Sequence, residues 1–152
     1  LYDWLAEDGP AAREPPLKKL IDIHPANVWA RIEYAYNLAD QERFEEAFRQ
    51  VDEAEHLDAN GSAVWFARGL LHKRKKRPED AAHAFRETIR RACDFEGAIH
   101  ELIWLCENLQ DRRDAVSFVA NELLRQSTYG NGIMALAWVV QLVFPPDELL
   151  NY

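Results

Sequence analysis

Apolar residues fall three and four positions apart along most of the chain, as in Val28, Trp29, Ile32, Ala35 and Tyr36, and again in Phe44, Ala47, Phe48, Val51 and Ala54. This spacing lines one face of a helix, and no stretch shows the strict alternation of a half-buried strand. Polar or glycine-bearing breaks interrupt the pattern at Asp40-Gln41-Glu42, Asn60-Gly61-Ser62, Arg77-Pro78-Glu79, Gln110-Asp111 and Tyr129-Gly130-Asn131-Gly132. The pattern predicts helices over 16–23, 27–40, 44–57, 62–75, 79–92, 96–109, 113–126 and 131–144 and from 147 onward, with Ser62, Asp111 and Asn131 as N-caps.

A fixed period organises these helices in pairs. Ala47, Ala81 and Ala115 stand 34 residues apart, as do Val51, Phe85 and Val119. The same step links Ala35, Gly69, Ile103 and Ala137, and links Tyr36, Leu70, Trp104 and Trp138. A repeat that holds one helix pair cannot bury its apolar stripe alone, so neighbouring pairs are expected to stack.

The period and its residues resemble the tetratricopeptide repeat. Trp65 and Gly69 match the first-helix pattern of that family, and Phe44, Ala47, Ala54 and the run from Glu55 to Asn60 match the second-helix pattern. Ile21-Asp22-Ile23-His24-Pro25-Ala26-Asn27 looks like the close of a preceding repeat. The resemblance covers roughly 16–152. It implies an all-α fold, a right-handed α-solenoid of antiparallel helix pairs. The expected organisation is a leading segment 1–15 left from an earlier repeat, a closing half-repeat 16–27, repeats at 28–61, 62–95 and 96–129, and an incomplete repeat at 130–152. Small residues such as Ala35, Gly69 and Ala137 would admit a close helix partner. Arg68, Pro78, Ile103 and Glu122 depart from the family pattern, which makes the third repeat the least typical.

In that family the first helices line a concave ligand face. The resemblance therefore implies a peptide site of Trp29, Ile32, Tyr36, Phe66, Leu70, Lys73, Arg74, His100, Trp104 and Trp138, with Met134 in the same register as His100. Aromatic rings give contact area at low entropic cost. The alternative reading of these rings is core between neighbouring helices, and Trp138 also stands in the incomplete last repeat. Chaperone-binding members hold a terminal carboxylate with Lys and Asn on this face, whereas Ile32, Tyr36, Phe66 and Leu70 stand at those places here. The expected ligand is instead a protein or peptide segment with apolar anchors.

Charge narrows the partners. A net charge of −8 disfavours nucleic acid, whose binders gain affinity from a basic face. The longest apolar run, Ile133 to Phe144, is interrupted by Gln141 and falls short of the roughly 20 residues that span a bilayer, so no membrane association is expected. The two cysteines, Cys93 and Cys106, fit a reducing, cytoplasmic compartment. The chain begins at Leu1 and reads as a segment excised from a longer protein.

Motifs with chemistry are few. The run His72-Lys73-Arg74-Lys75-Lys76-Arg77 resembles a targeting or polyanion patch, but it also suits the negative end of a helix dipole. His100-Glu101-Leu102-Ile103-Trp104 starts like a zinc-protease helix, with Trp104 where the second ligand His would stand. No phosphate loop and no nucleophile-base arrangement is present, so neither catalysis, a metal nor a cofactor is expected. The sequence thus points to a non-catalytic interaction scaffold. The alternatives are an accessory arm of a larger enzyme and a homo-oligomer formed through the end repeats.

Overall fold

The computed structural model describes residues 9–126 and 131–144. Within them lie eight helices: α1 (Gly9–Ile23), α2 (Val28–Asp40), α3 (Phe44–Leu57), α4 (Ser62–Arg74), α5 (Pro78–Arg91), α6 (Glu96–Trp104), α7 (Leu109–Arg125) and α8 (Asn131–Val143). The described residues contain no strand, so the fold is all-α and repeat-like. The chain divides into two compact units, Leu1–Arg77 with α1–α4 and Pro78–Tyr152 with α5–α8. The expected break at 129–130 and the helix from 147 onward lie outside the described residues.

The 34-residue period is written into the backbone. The N–H groups of His24, Asp58, Ala92 and Gln126 each donate to the carbonyl four residues earlier at 2.9 Å, and these donors are 34 residues apart. The next turn repeats as well, since Asn27 donates to His24, Gly61 to Asp58 and Phe95 to Ala92. The first-helix ends of the first unit also match. After α2, Glu42 donates to Ala39 and Arg43 to Leu38, both at 3.0 Å, and after α4, Lys76 donates to Lys73 and Arg77 to His72, again at 3.0 Å. Each is the paired-bond helix ending that requires a left-handed residue, and Glu42 (φ 60) and Lys76 (φ 57) supply it without glycine.

In the first unit α2 packs on α1, α3 and α4, and α3 packs on α4. Its core gathers Ile32, Ala35 and Leu38 from α2, Ala47, Val51 and Ala54 from α3, and Val64, Ala67 and Leu71 from α4. The alanines at the 34-residue step are fully buried: Ala47, Ala81 and Ala115 each have 0% exposure. Glu45 and Glu46 stand in the first turn of α3, where their negative charges suit the positive end of its dipole.

Helix α1 is longer than the sequence predicts. It starts at Gly9 rather than near residue 16 and runs through Pro15 and Pro16, each of which removes a helical N–H donor. Polar docking offsets this loss. The Glu14 carboxylate accepts from Tyr34 Oη (3.0 Å), Gln41 Nε2 (3.2 Å) and Arg43 (2.7 Å), and pairs with Lys18 at 2.6 Å. The Lys18 ammonium, followed by Gln41, Tyr34 and Arg43, holds the Glu14 carboxyl down to about 2. One turn earlier, the amide of buried Asn37 donates to the Pro10 carbonyl at 2.7 Å.

Three N-terminal assignments also differ. Gly61, not Ser62, is the N-cap of α4. Helix α6 stops at Trp104 instead of 109, and α7 starts at Leu109 instead of 113. The reason is Asn108, whose side chain accepts from the Asp111 N–H at 2.9 Å while its amide donates to the Asp111 carboxylate at 2.7 Å. Asp111 is thus the third residue of α7 rather than its cap. Asn131 is a helical residue of α8 rather than its cap.

In the second unit α6 packs on α5, α7 and α8, and α7 packs on α5 and α8. Phe85, Ile89, Ile99, Leu102, Ile103, Val119 and Val139 are fully buried there. The departures from the repeat pattern find local solutions. Ile103 is fully buried, Pro78 opens α5, and Glu122 accepts from Arg125 at 2.6 Å. In the first unit Arg68 lies 5.6 Å over the Trp65 ring and pairs with Asp52 and Glu55 at 2.9 and 2.6 Å. Ala137 does not admit a close partner, because it is exposed and α8 buries Gly132, Ala135 and Val139 instead. Gly132 permits that approach: a Cβ there would lie 2.8 Å from both the Cys93 carbonyl oxygen and Leu123 Cδ2.

Candidate functional site

Residues in equivalent registers of the first helices differ in exposure. In one register Ile32 is 7% exposed and belongs to the core, Phe66 and His100 are half-buried, and Met134 is 71% exposed. In the next, Tyr36 and Leu70 are half-buried, whereas Trp104 and Trp138 are 59% and 51% exposed. Ile32 is therefore a packing residue and not part of an accessible face.

In the first unit the α2/α4 face is tied together by its own charges. Arg74 donates to Asp40 at 2.6 Å and to the Tyr36 carbonyl at 3.4 Å, and Arg13 reaches the same carboxylate at 3.5 Å. Burial pushes the Tyr36 phenol up to about 12, with the Glu33 charge adding and Arg74 opposing. Burial also raises the Glu33 carboxyl, against the nearby Arg13. Trp29, in the first turn of α2, keeps half its surface in solvent, and Lys73 is exposed.

In the second unit α6 and α8 lie side by side and present a different surface. The His100 and Trp138 rings meet at 5.0 Å between centroids, tilted by 47°. His100 and Trp104 are one turn apart on α6, and Met134, Trp138 and Leu142 follow one another at single turns on α8. Trp104, Trp138, Met134 and Leu142 are each more than half exposed, so the two helices carry an open apolar patch around His100. Nε2 of His100 is buried and makes no hydrogen bond among the described residues. The structure thus brings together His100, Trp104 and Trp138 from the sequence-predicted set. Leu142 was not in that set, although its place one turn after Trp138 was a signal for it.

The early end of α6 opens a second concavity, a cleft of about 470 Å³ bordered by Arg86, Cys106, Glu107, Asp111 and Asp114. Cys106 Sγ lies 3.3 Å from the Leu102 carbonyl, and burial raises its thiol despite Arg86 and Arg112. A nucleophilic thiolate needs the opposite shift. Among the described residues no group of three His, Cys, Asp or Glu is placed to hold a metal ion, and no helix is long and apolar enough to cross a membrane.

No protein-family model matches this chain, and no curated protein matches it either.

Proposed function

We propose that this chain is a protein-interaction module of tetratricopeptide type, a right-handed stack of helix pairs that binds a peptide segment of a partner and performs no chemistry of its own. The open patch of Trp104, Trp138 and Met134 on adjacent helices carries this reading. Exposed tryptophans on a rigid helical surface are the kind of anchor that dominates peptide interfaces. The 34-residue recurrence of backbone bonds supports the family assignment. The raised Cys106 thiol argues against that one residue as a nucleophile.

The test is a peptide-display selection on the chain with a Trp104→Ala/Trp138→Ala variant as counter-target. Helical circular dichroism of the variant should match the parent. Peptides retained by the parent and lost on the variant support the reading; a pool indifferent to both substitutions removes it.

Self-association is a second reading, favoured by α8, which has no charged residue and exposes Ile133, Met134, Trp138 and Leu142. Light scattering against concentration distinguishes it: a mass that stays monomeric excludes it.

A further inference from the structure

The α6/α8 face differs from the rest of the chain in charge. Between Arg91 and Arg112 there is no Lys or Arg, but there are Asp94, Glu96, Glu101, Glu107 and Asp111, and no Lys or Arg follows Arg125. Residues 78–152 hold six basic and twelve acidic side chains, against twelve and fourteen in residues 1–77. The net negative charge is therefore concentrated in the unit that exposes the tryptophans.

Acidic residues follow one another along α6 and the loop after it, and Glu96 lies two turns before Trp104 on the same stripe as His100. Glu96 is exposed in the first turn of α6, Glu101 stands one turn before Trp104, and Glu107 is exposed three residues after it. The stripe of Met134, Trp138 and Leu142 on α8 is uncharged. Arg112, which reaches the end of α8, is committed to the carbonyls of Cys106 and Val143 at 3.2 and 3.1 Å.

We propose that this face takes a peptide segment in which Lys or Arg flanks the apolar anchors, the cations lying over Trp104 and Trp138 and against Glu96 and Glu107. The inference rests on the peptide-binding reading and adds the chemistry of the partner. Tryptophan is the aromatic side chain that best attracts a cation to its ring face. A carboxylate border steers a basic segment inward and repels an acidic one, an effect that salt weakens.

The experiment is the same display selection, read for the charge of the enriched residues and extended to a Glu96→Gln/Glu107→Gln variant. The expected pool depends on both tryptophans and is rich in Lys and Arg beside its apolar positions. A synthetic peptide of its consensus should bind the glutamine variant about fivefold more weakly and should weaken further as salt rises. A tryptophan-dependent pool that is neutral or acidic overturns this inference and leaves peptide binding standing. A pool indifferent to the tryptophans overturns both. Self-association abolished by Trp104→Ala/Trp138→Ala makes a second copy the occupant and overturns the basic-peptide proposal.

Discussion

Arg74 holds Asp40, the residue one full repeat before it, at 2.6 Å. The two occupy the same place in successive first helices, as the last residues of α4 and α2. An ion pair between equivalent positions joins the two repeats of the first unit at their first-helix ends. Each partner keeps part of its surface in water, 44% for Arg74 and 29% for Asp40, so the pair should contribute modestly.

Replacing Asp40 by Asn should cost about 0.5 kcal/mol in unfolding free energy. A double-mutant cycle with Arg74→Gln measures the coupling. A value of zero would show that the pair adds nothing to the packing of α2 on α4.

The first-helix endings offer a gain. Glu42 and Lys76 hold positive φ with a Cβ in place, a conformation glycine adopts without strain. Both side chains are exposed. Lys76→Gly and Glu42→Gly should each stabilise the fold by about 0.5–1 kcal/mol, measured by denaturant unfolding. Destabilisation by either would mean that its side chain contributes more than the turn strain costs.

Acid should loosen α1 first. The Glu14 carboxyl is depressed from its ordinary value near 4.5 to about 2 by Lys18 and its other partners, so its contribution is complete above the unfolded-state value and lost as pH falls toward 2. Protection of the α1 amides, taken relative to the intrinsic exchange rate at each pH, should fall between about pH 5 and pH 2, ahead of α3. In Glu14→Gln the α1 amides should exchange quickly already at neutral pH and lose that acid dependence.

Core and patch should separate cleanly. Phe85 is fully buried, and Phe85→Ala should cost about 3–5 kcal/mol. Trp104 is 59% exposed, and Trp104→Ala should change stability by less than about 1 kcal/mol. Chemical denaturation of the two variants checks the contrast.

Gly132→Ala should destabilise the second unit by about 1–3 kcal/mol, because the new methyl would meet the Cys93 carbonyl and the Asp94 Cα at 2.8 and 2.9 Å, and neither backbone atom yields as a side chain would. Denaturant unfolding beside the parent measures it; an unchanged midpoint would show that α8 can shift away.

Helices α2 to α5 were legible in the sequence because their apolar spacing and their 34-residue step agree. Helix α1 was obscured by Pro15 and Pro16, whose local preference against helix is overridden by the partners of Glu14 and Asn37. The end of α6 was missed because Leu105 and Cys106 continue the apolar pattern, while the signal was the pair Asn108 and Asp111, spaced as a cap and its third residue. Exposure at the candidate site was the least legible property. Ile32 and Met134 share a register, yet one is core and the other is open, since burial depends on which neighbours reach each position.

The recurring backbone bonds at His24, Asp58, Ala92 and Gln126 set the natural unit of length change for this chain. An insertion inside a helix that is not a whole number of turns rotates the residues after it off their stripe. A tandem copy of residues 24–57 would meet the same donor and acceptor geometry at both splice points. Growth by whole repeats is thus the route that leaves the hydrogen-bond frame intact, with the side chains on the first helices free to diverge from copy to copy.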